Sequence, residues 1–243
     1  MSFPTFRIED RELPIMLCGS SPFIGDGRFG FKATNCRIRF YKHPDAMADI
    51  FTHFIKQGCK GAHIFCYENI LQAVDLAYQV EKFPIAATLS LKDVPGQLEL
   101  LSKLETVLVF THPSHTDSLD ESVLQRITKE IRDAGMIPGC ATYHPGVSIP
   151  LLEKMTIDCA AYLLPLNKDG KYMAPNKEKT LIAIKDTEKK LVAMKSLAVG
   201  NITPAAGFPF LVEHCDGFCV GFTNKNQIDD AYKVLGHLTS SQR

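Results

Sequence analysis

Residues 106–143 read TVLVFTHPSHTDSLDESVLQRITKEIRDAGMIPGCATY. An apolar run opens this stretch, and Val123, Ile127 and Ile131 then recur at the spacing of one helix face. Gly135 follows the periodic segment, which is typical of a helix end, and a second apolar run begins directly after it. Because strands that are buried on both faces read as near-continuous apolar runs, the stretch predicts a strand, a helix and a second, parallel strand.

The same alternation extends along the whole chain. Eight short apolar runs are separated by amphipathic segments: PIMLCGS, GAHIFC, PIAATLSL, TVLVFTH, IPGCATY, AAYLLPL, LVAMKSL and GFCVGF. Regular strand–helix alternation indicates a parallel sheet, and eight such units in 243 residues suit a closed barrel, which needs about 250. We therefore predict an α/β fold, a single (βα)8 TIM barrel over residues 1–243, with residues 1–14 as a hairpin or plug at its amino-terminal mouth.

Composition and charge narrow the class of protein. Hydrophobic residues make up 45% of the chain and charged residues 22%, as in soluble globular proteins. The 27 basic and 27 acidic residues balance, which argues against nucleic acid or an anionic membrane as a partner. No apolar stretch approaches the roughly 18 residues of a membrane span, and the charged start lacks the core of a signal peptide. We expect a cytoplasmic protein with a small-molecule ligand, its eight cysteines serving as buried apolar side chains. The oligomeric state is not indicated.

Polar residues collect where the predicted strands end, the face on which barrel enzymes carry their sites. The longest irregular stretches, residues 19–45 and 167–179, also follow strand ends and are candidate lids. The polar side chains expected on this rim are Asp26, Arg28, Tyr67, Glu68, Lys92, His112, His115, His144, Asn167, Lys195 and Thr223.

Three kinds of chemistry compete for these residues. His112 closes the fourth run, where an imidazole that titrates near neutral pH can exchange a proton with a substrate carbonyl, or can simply bond to the backbone. Lys195 ends the seventh run and could form a Schiff base if it points inward, which depends on a one-residue register. His112, His115, His144 and Glu68 have the side chains of metal ligands but lack the spacing of a zinc motif, so no metal site is assigned.

The seventh and eighth runs end in AVGNIT and VGFTNKNQ. Loops after these two strands often hold a phosphate in barrels, because glycine lets backbone N–H groups approach the anion and the next helix presents its amino terminus. The residues predicted to bind such an anion or cofactor are Gly200, Asn201, Gly221, Thr223 and Asn224. The alternative is that the glycines only permit tight turns.

Read in order, these segments resemble an aldo-keto reductase. FRIEDRELPIMLCGSS is similar to that family's amino-terminal hairpin and first strand, and QGCKGAHIFCYENILQAVDLA to its second strand and helix. VFTHP resembles its strand-4 histidine segment, AGMIPGCAT its fifth strand, KSLAVG its turn after strand 7, and CVGFTNKNQIDD the segment that holds the cofactor's adenosine phosphate. The resemblance covers nearly the whole chain and implies a barrel reductase that uses NADP(H).

The resemblance also implies a catalytic aspartate, tyrosine, lysine and histidine. His112 matches the histidine and Tyr67 lies close to the tyrosine position, whereas Phe65 stands at the aspartate and Lys92 comes a few residues late for the lysine. A tyrosine without that lysine keeps a pKa near 10 and donates its proton poorly, so retention of NADP(H) is in question. We predict an enzyme that acts on a small carbonyl- or phosphate-bearing metabolite, with His112, Tyr67 and Lys195 as catalytic candidates. A non-catalytic small-ligand or nucleotide-binding barrel and an aldolase-like lyase that uses Lys195 remain as alternatives.

Overall fold

A computed structural model describes residues 3–25, 27 and 30–240. The predicted rim residues Asp26 and Arg28 lie outside this part of the chain. Within it, eight parallel strands form a closed barrel, and each of them overlaps one of the eight predicted apolar runs. In order around the barrel the strands are β3 (Met16–Gly19), β4 (Ala62–Phe65), β5 (Ile85–Thr88), β6 (Thr106–Thr111), β7 (Ile137–Ala141), β8 (Ala161–Pro165), β9 (Lys190–Met194) and β10 (Gly217–Gly221). The barrel closes where β10 pairs with β3, so the predicted (βα)8 architecture is confirmed.

Helices connect successive strands on the outside of the barrel. They are α1 (Phe31–Phe40), α2 (Pro44–Lys56), α3 (Glu68–Tyr78), α4 (Val94–Ser102), α5 (Pro113–Asp117), α6 (Glu121–Asp133), α7 (Pro145–Leu152), α8 (Lys177–Lys185), α9 (Pro204–His214) and α10 (Lys225–Ser240). Their buried faces follow the periodicity of the sequence. In α10, for example, the buried residues are Ile228, Ala231, Tyr232 and Leu235.

The amino-terminal segment forms a hairpin of β1 (Thr5–Ile8) and β2 (Arg11–Pro14), as predicted. Phe6, Ile8 and Leu13 are buried in the same apolar cluster as the residues inside the barrel. The contact is close at the start of β10, where a Cβ on Gly217 would lie 2.4 Å from the Phe6 ring. The Arg132 guanidinium on α6 also donates to Glu9 in the turn of the hairpin. The hairpin therefore plugs the amino-terminal mouth of the barrel.

Two apolar layers surround the barrel strands. The outer layer packs the strands against the helices, and the inner layer fills the barrel. Strand residues of the inner layer include Leu17, Ala86, Leu108, Phe110, Ala141, Leu163, Val192 and Cys219. Since successive side chains of a strand point to opposite faces, this division also identifies the inward positions near the carboxyl ends of the strands.

The two stretches expected to be irregular differ from each other. The first is partly helical, because it contains a 3₁₀ turn at Ser21–Ile24 and the ten residues of α1, so that expectation was wrong for much of its length. The second contains neither helix nor strand from 167 to 176. Its first residue, Asn167, is buried and bonds to both backbone groups of Lys171. Asn167 therefore shapes this loop.

Seven of the eight cysteines are buried and Cys215 is partly buried, and all eight are free thiols, in agreement with the sequence interpretation. Across the described residues, no helix combines the length and the apolar character that crossing a membrane requires.

Candidate functional site

A cavity of about 310 Å³ opens at the carboxyl ends of β3, β4, β9 and β10. Its walls are mostly apolar and include Phe65, Met194, Leu197, Val220 and Phe222. Polar groups line it at a few points: Ser21, His63, Lys195, Thr203, Gln227 and Asp230. An apolar cavity with a few convergent polar groups at this end of a barrel is the usual form of a small-molecule site.

His63 lies on the floor of this cavity and is only 3% exposed. Its neighbours Ala62 and Ile64 belong to the outer layer, so alternation along β4 points the imidazole inward. The ring Nε2 lies 2.8 Å from Thr88 Oγ1, and the Phe65 and Phe110 rings pack beside it. Burial lowers the pKa of His63 to about 4, so the ring is neutral at pH 7. The sequence interpretation did not single out this residue.

Lys195 follows the last residue of β9 in a left-handed conformation, with φ of 54°. It lines the cavity, and its Nζ lies 4.3 Å from the centre of the Tyr143 ring and 5.1 Å from that of Tyr172. These tyrosines belong to the loops after β7 and β8, so the ammonium sits at the rim with aromatic faces beside it. Attraction between a cation and an aromatic face stabilises this placement. Lys195 therefore belongs to the cavity lining, while its ammonium packs against the Tyr143 and Tyr172 rings of the neighbouring loops.

The segment after β9 carries two of the predicted anion-binding residues. Gly200 lines the cavity with φ of 83°, a conformation that favours glycine. The backbone N–H groups of Gly200, Asn201 and Ile202 all donate to the carbonyl of Leu197. The Asn201 side chain donates to the carbonyl of Ala198. The donors expected to face an anion thus close the turn itself, and Asn201 does not cap α9.

The segment after β10 carries the other three predicted anion-binding residues, Gly221, Thr223 and Asn224. Gly221 lines the same cavity, and a Cβ there would lie 2.6 Å from the ring of Pro22. Asn224 Oδ1 accepts the N–H of Gln227, which makes Asn224 the amino-terminal cap of α10. Gln227 Oε1 accepts in turn from the backbone N–H and the hydroxyl of Thr223. Gly200 and Gly221 therefore meet at one cavity, and Thr223 and Asn224 organise the helix start beside it.

His112 and Tyr67 follow β6 and β4, two strands that β5 separates, and neither residue is among those that line the cavity. His112 Nδ1 accepts the backbone N–H of Ser114 at 3.1 Å, which leaves the proton of the neutral ring on Nε2. Partial burial lowers the pKa of His112, and His115 lowers it further. Burial, Tyr143 and Tyr41 all raise the pKa of Tyr67. The imidazole can therefore donate a neutral hydrogen bond at pH 7, whereas the phenol holds its proton.

Asp117, at the end of α5, organises the loop after β7 and was not identified from the sequence. Its carboxylate accepts from the Thr142 hydroxyl, from the Tyr143 N–H at 2.9 Å and from the Ser148 hydroxyl at 2.7 Å. His144 Nδ1 lies 3.2 Å from the same group. This carboxylate fixes Tyr143, whose ring lies under the Lys195 ammonium.

The other positions that the resemblance marked have these surroundings. Phe65, at the aspartate position, lines the cavity. Lys92 is exposed and its carbonyl accepts from the Ser90 hydroxyl. The catalytic roles assigned from the sequence stay predictions. Among the described residues, no three His, Cys, Asp or Glu side chains come together as a metal site would require.

No protein-family model matches the sequence, and no curated protein matches it. Solved structures of aldo-keto reductases do match the fold. One from Bacillus halodurans in its holo form has a TM-score of 0.66 at 10% identity, over 96% of this chain and 91% of that chain. The aldose reductase from Schistosoma japonicum has a TM-score of 0.65 at 14% identity, over 98% and 92%. One from Klebsiella pneumoniae in complex with NADPH has a TM-score of 0.64 at 11% identity, over 99% and 94%. The chain has an aldo-keto reductase-like scaffold.

Proposed function

We propose that the protein is an enzyme that acts on a small carbonyl-bearing, anionic metabolite, such as a phosphorylated one. The observation that carries this proposal is the cavity of about 310 Å³ at the carboxyl mouth of the barrel, with Lys195 at its rim and apolar walls below it. Active sites of (βα)8 enzymes occupy this mouth. An anion is attracted to the Lys195 ammonium more strongly at this partly buried position than in bulk water, because water screens the charge less there.

The rim residues supply distinct contributions in this proposal. The Lys195 ammonium binds the anionic group of the substrate. His112 donates its Nε2–H to the carbonyl oxygen, or exchanges a proton with it, because its Nδ1 is held by Ser114. Asp117 acts through the loop after β7, since it holds Tyr143 in place beside Lys195.

The residues around the cavity do not suit NADP(H) well. A 2′-phosphate needs cations, but Lys225, in the segment that resembles the adenosine-phosphate site, lies 2.7 Å from the Asp49 carboxylate. Asp230 adds a carboxylate to the cavity lining. The neighbouring Tyr143 and Tyr41 raise the pKa of the Tyr67 phenol, whereas a neighbouring lysine would lower it. We therefore derive no hydride-transfer step for this protein.

A lyase that forms an imine at Lys195 is the second candidate, supported by the position of this lysine on the cavity lining. A non-catalytic barrel that binds the same anion is the third. The three differ in what they do to a bound carbonyl compound, so one set of measurements separates them.

The test uses calorimetric titration with inorganic phosphate and incubation with pyruvate in D2O, with and without NADPH. We expect phosphate to bind at least about tenfold more weakly to Lys195→Met, because a charge-assisted contact contributes about 1.5–3 kcal/mol. Lys168→Met, which removes an exposed lysine from the loop after β8, is the matched control and should leave the affinity unchanged.

Exchange of the pyruvate methyl hydrogens for deuterium that His112→Gln abolishes would support the enzyme, because the proton that leaves the carbon is replaced from solvent and no oxidant or reductant is needed. A borohydride-trapped adduct on Lys195 would favour the lyase, and binding without exchange would favour the non-catalytic barrel. NADPH oxidation that accompanies loss of pyruvate would restore a reductase. Equal phosphate affinity of the wild type and Lys195→Met would contradict the proposal.

A further inference from the structure

One nitrogen of His63 has no hydrogen-bond partner among the residues that the structure describes. Nε2 lies 2.8 Å from Thr88 Oγ1, whereas Nδ1 bonds to no described residue. Among the described residues, Glu130 Oε2 is the one fully buried side-chain nitrogen or oxygen that has no hydrogen-bond partner. His63 Nδ1 also has no partner, so it is not fully buried. Since His63 lines the cavity, its Nδ1 opens onto it.

An open imidazole nitrogen at this depth is unusual. Buried polar groups nearly always form hydrogen bonds, and those that do not commonly serve a ligand or hold a water. The Phe65 and Phe110 rings pack beside His63, and neither ring can accept or donate a conventional hydrogen bond. An aliphatic side chain at this inward position would satisfy the packing of the barrel without the cost of burying a ring nitrogen.

We propose that His63 is a ligand-binding residue, and that the cavity takes an amphipathic ligand with three parts: an anion at Lys195, an apolar body, and a neutral hydroxyl or carbonyl group on His63 Nδ1. The anionic part rests on the proposed function, and the neutral polar part rests on His63 alone. The cavity lining also includes Phe65, Met194, Val220 and Phe222, which suit the apolar body.

The chemistry of the ring defines the polar part of the ligand. A neutral imidazole has one donor nitrogen and one acceptor nitrogen, and the Thr88 hydroxyl engages one of them. Nδ1 then offers a single hydrogen bond, as a donor or as an acceptor according to the direction of the Thr88 bond. A hydroxyl on the ligand satisfies either arrangement. A second anion on the floor would instead be buried beside a neutral ring, which is costly.

The test compares two probes, 4-hydroxybenzoate and benzoate, by calorimetric titration at pH 7.5. Both have a carboxylate and an aromatic body, and the first alone has a hydroxyl opposite the carboxylate. We expect the wild type to bind 4-hydroxybenzoate about fivefold more tightly, since one neutral hydrogen bond contributes about 1 kcal/mol. The double variant His63→Phe/Thr88→Val replaces both bonded groups by apolar ones of similar shape, so it should bind the two probes equally.

Lys195→Met separates this inference from the proposed function. This substitution should weaken the binding of both probes by the same factor and leave the ratio of their affinities at about five. If Lys195→Met changes neither affinity, the anion assignment fails while the ratio still reports on His63. Nitrogen NMR of the wild-type ring gives a second measurement: 4-hydroxybenzoate should shift the His63 Nδ1 resonance and benzoate should shift it less. Equal affinities in the wild type, a preference that persists in the double variant, or binding of neither probe would overturn the inference.

Discussion

Acid should destabilise the barrel through His63. The imidazole is buried in the folded protein, where desolvation lowers its pKa from 6.5 to about 4. In the unfolded chain the ring is solvated and keeps the ordinary value. Between these two pKa values the unfolded state binds a proton that the folded state does not, so stability rises with pH across this window. The contribution of the neutral ring is fully present above pH 6.5 and is lost as the pH falls towards 4.

The size of this effect follows from the shift. A shift of about 2.5 pKa units corresponds to about 3 kcal/mol at full development, because each unit is worth about 1.36 kcal/mol. Relative to neutral pH, linkage gives a loss of about 1 kcal/mol at pH 5.5 and about 3 kcal/mol at pH 4. The charged residues that line the cavity with His63 are Lys195 and Asp230, and the shift itself comes from burial of the ring.

Urea unfolding at pH 7.5, 5.5 and 4.0 measures the loss. The control is His63→Phe/Thr88→Val, which lacks the titrating ring and leaves no buried polar partner behind. The other titrating groups are common to both proteins, so the difference between their pH profiles isolates His63. Parallel profiles, or a His63 resonance in NMR that titrates with a pKa near 6.5, would refute the reasoning.

Two further predictions concern contacts away from the cavity. Arg132→Ala should lower the free energy of unfolding by about 1 kcal/mol, less in high salt, because the guanidinium bridges Glu9 and Asp158 at a partly exposed site. Hydrogen exchange should accelerate in β1 and β2, and unchanged exchange there would contradict the bridge. Asp117→Asn should cost about 2 kcal/mol in urea unfolding, because an amide cannot accept from all the donors around it. Asp120→Asn, the matched control at the exposed cap of α6, should change stability little, and an equal effect of both would count against this assignment.

The architecture could be predicted from the sequence because parallel strands inside a barrel leave a strong pattern. Each is buried on both faces, so segments such as TVLVFTH and AAYLLPL read as apolar runs whatever their register. The helices leave the complementary signal, with one buried stripe each, as Ile228, Ala231 and Leu235 illustrate. The helix α1 was missed because it has no comparable stripe in FKATNCRIRF, where charged and polar residues interrupt the apolar positions.

The site was harder to predict because it depends on facts that a linear pattern does not contain. GAHIFC predicts a strand in either register, but a shift of one residue decides whether His63 faces the cavity or the helices. The direction of Lys195 depends on a left-handed backbone just after β9, at a residue type that rarely adopts it. Gly200 and Gly221 both line the cavity, but the sequence did not indicate that the N–H groups of Gly200 and Asn201 would be engaged by the carbonyl of Leu197.

The side chains of the cavity constrain its chemistry more closely than the barrel does. One scaffold can support many reactions, because the reacting groups stand on strand ends and loops that vary independently of the packing below them. At the end of β4, His63 and Phe65 line the cavity. They supply a neutral ring nitrogen and an apolar ring, whereas proton transfer from this position would need a charged group. The positive charge comes instead from the opposite side of the mouth, at Lys195 after β9. A ligand that satisfies both ends must join an anion to a neutral polar group through an apolar body.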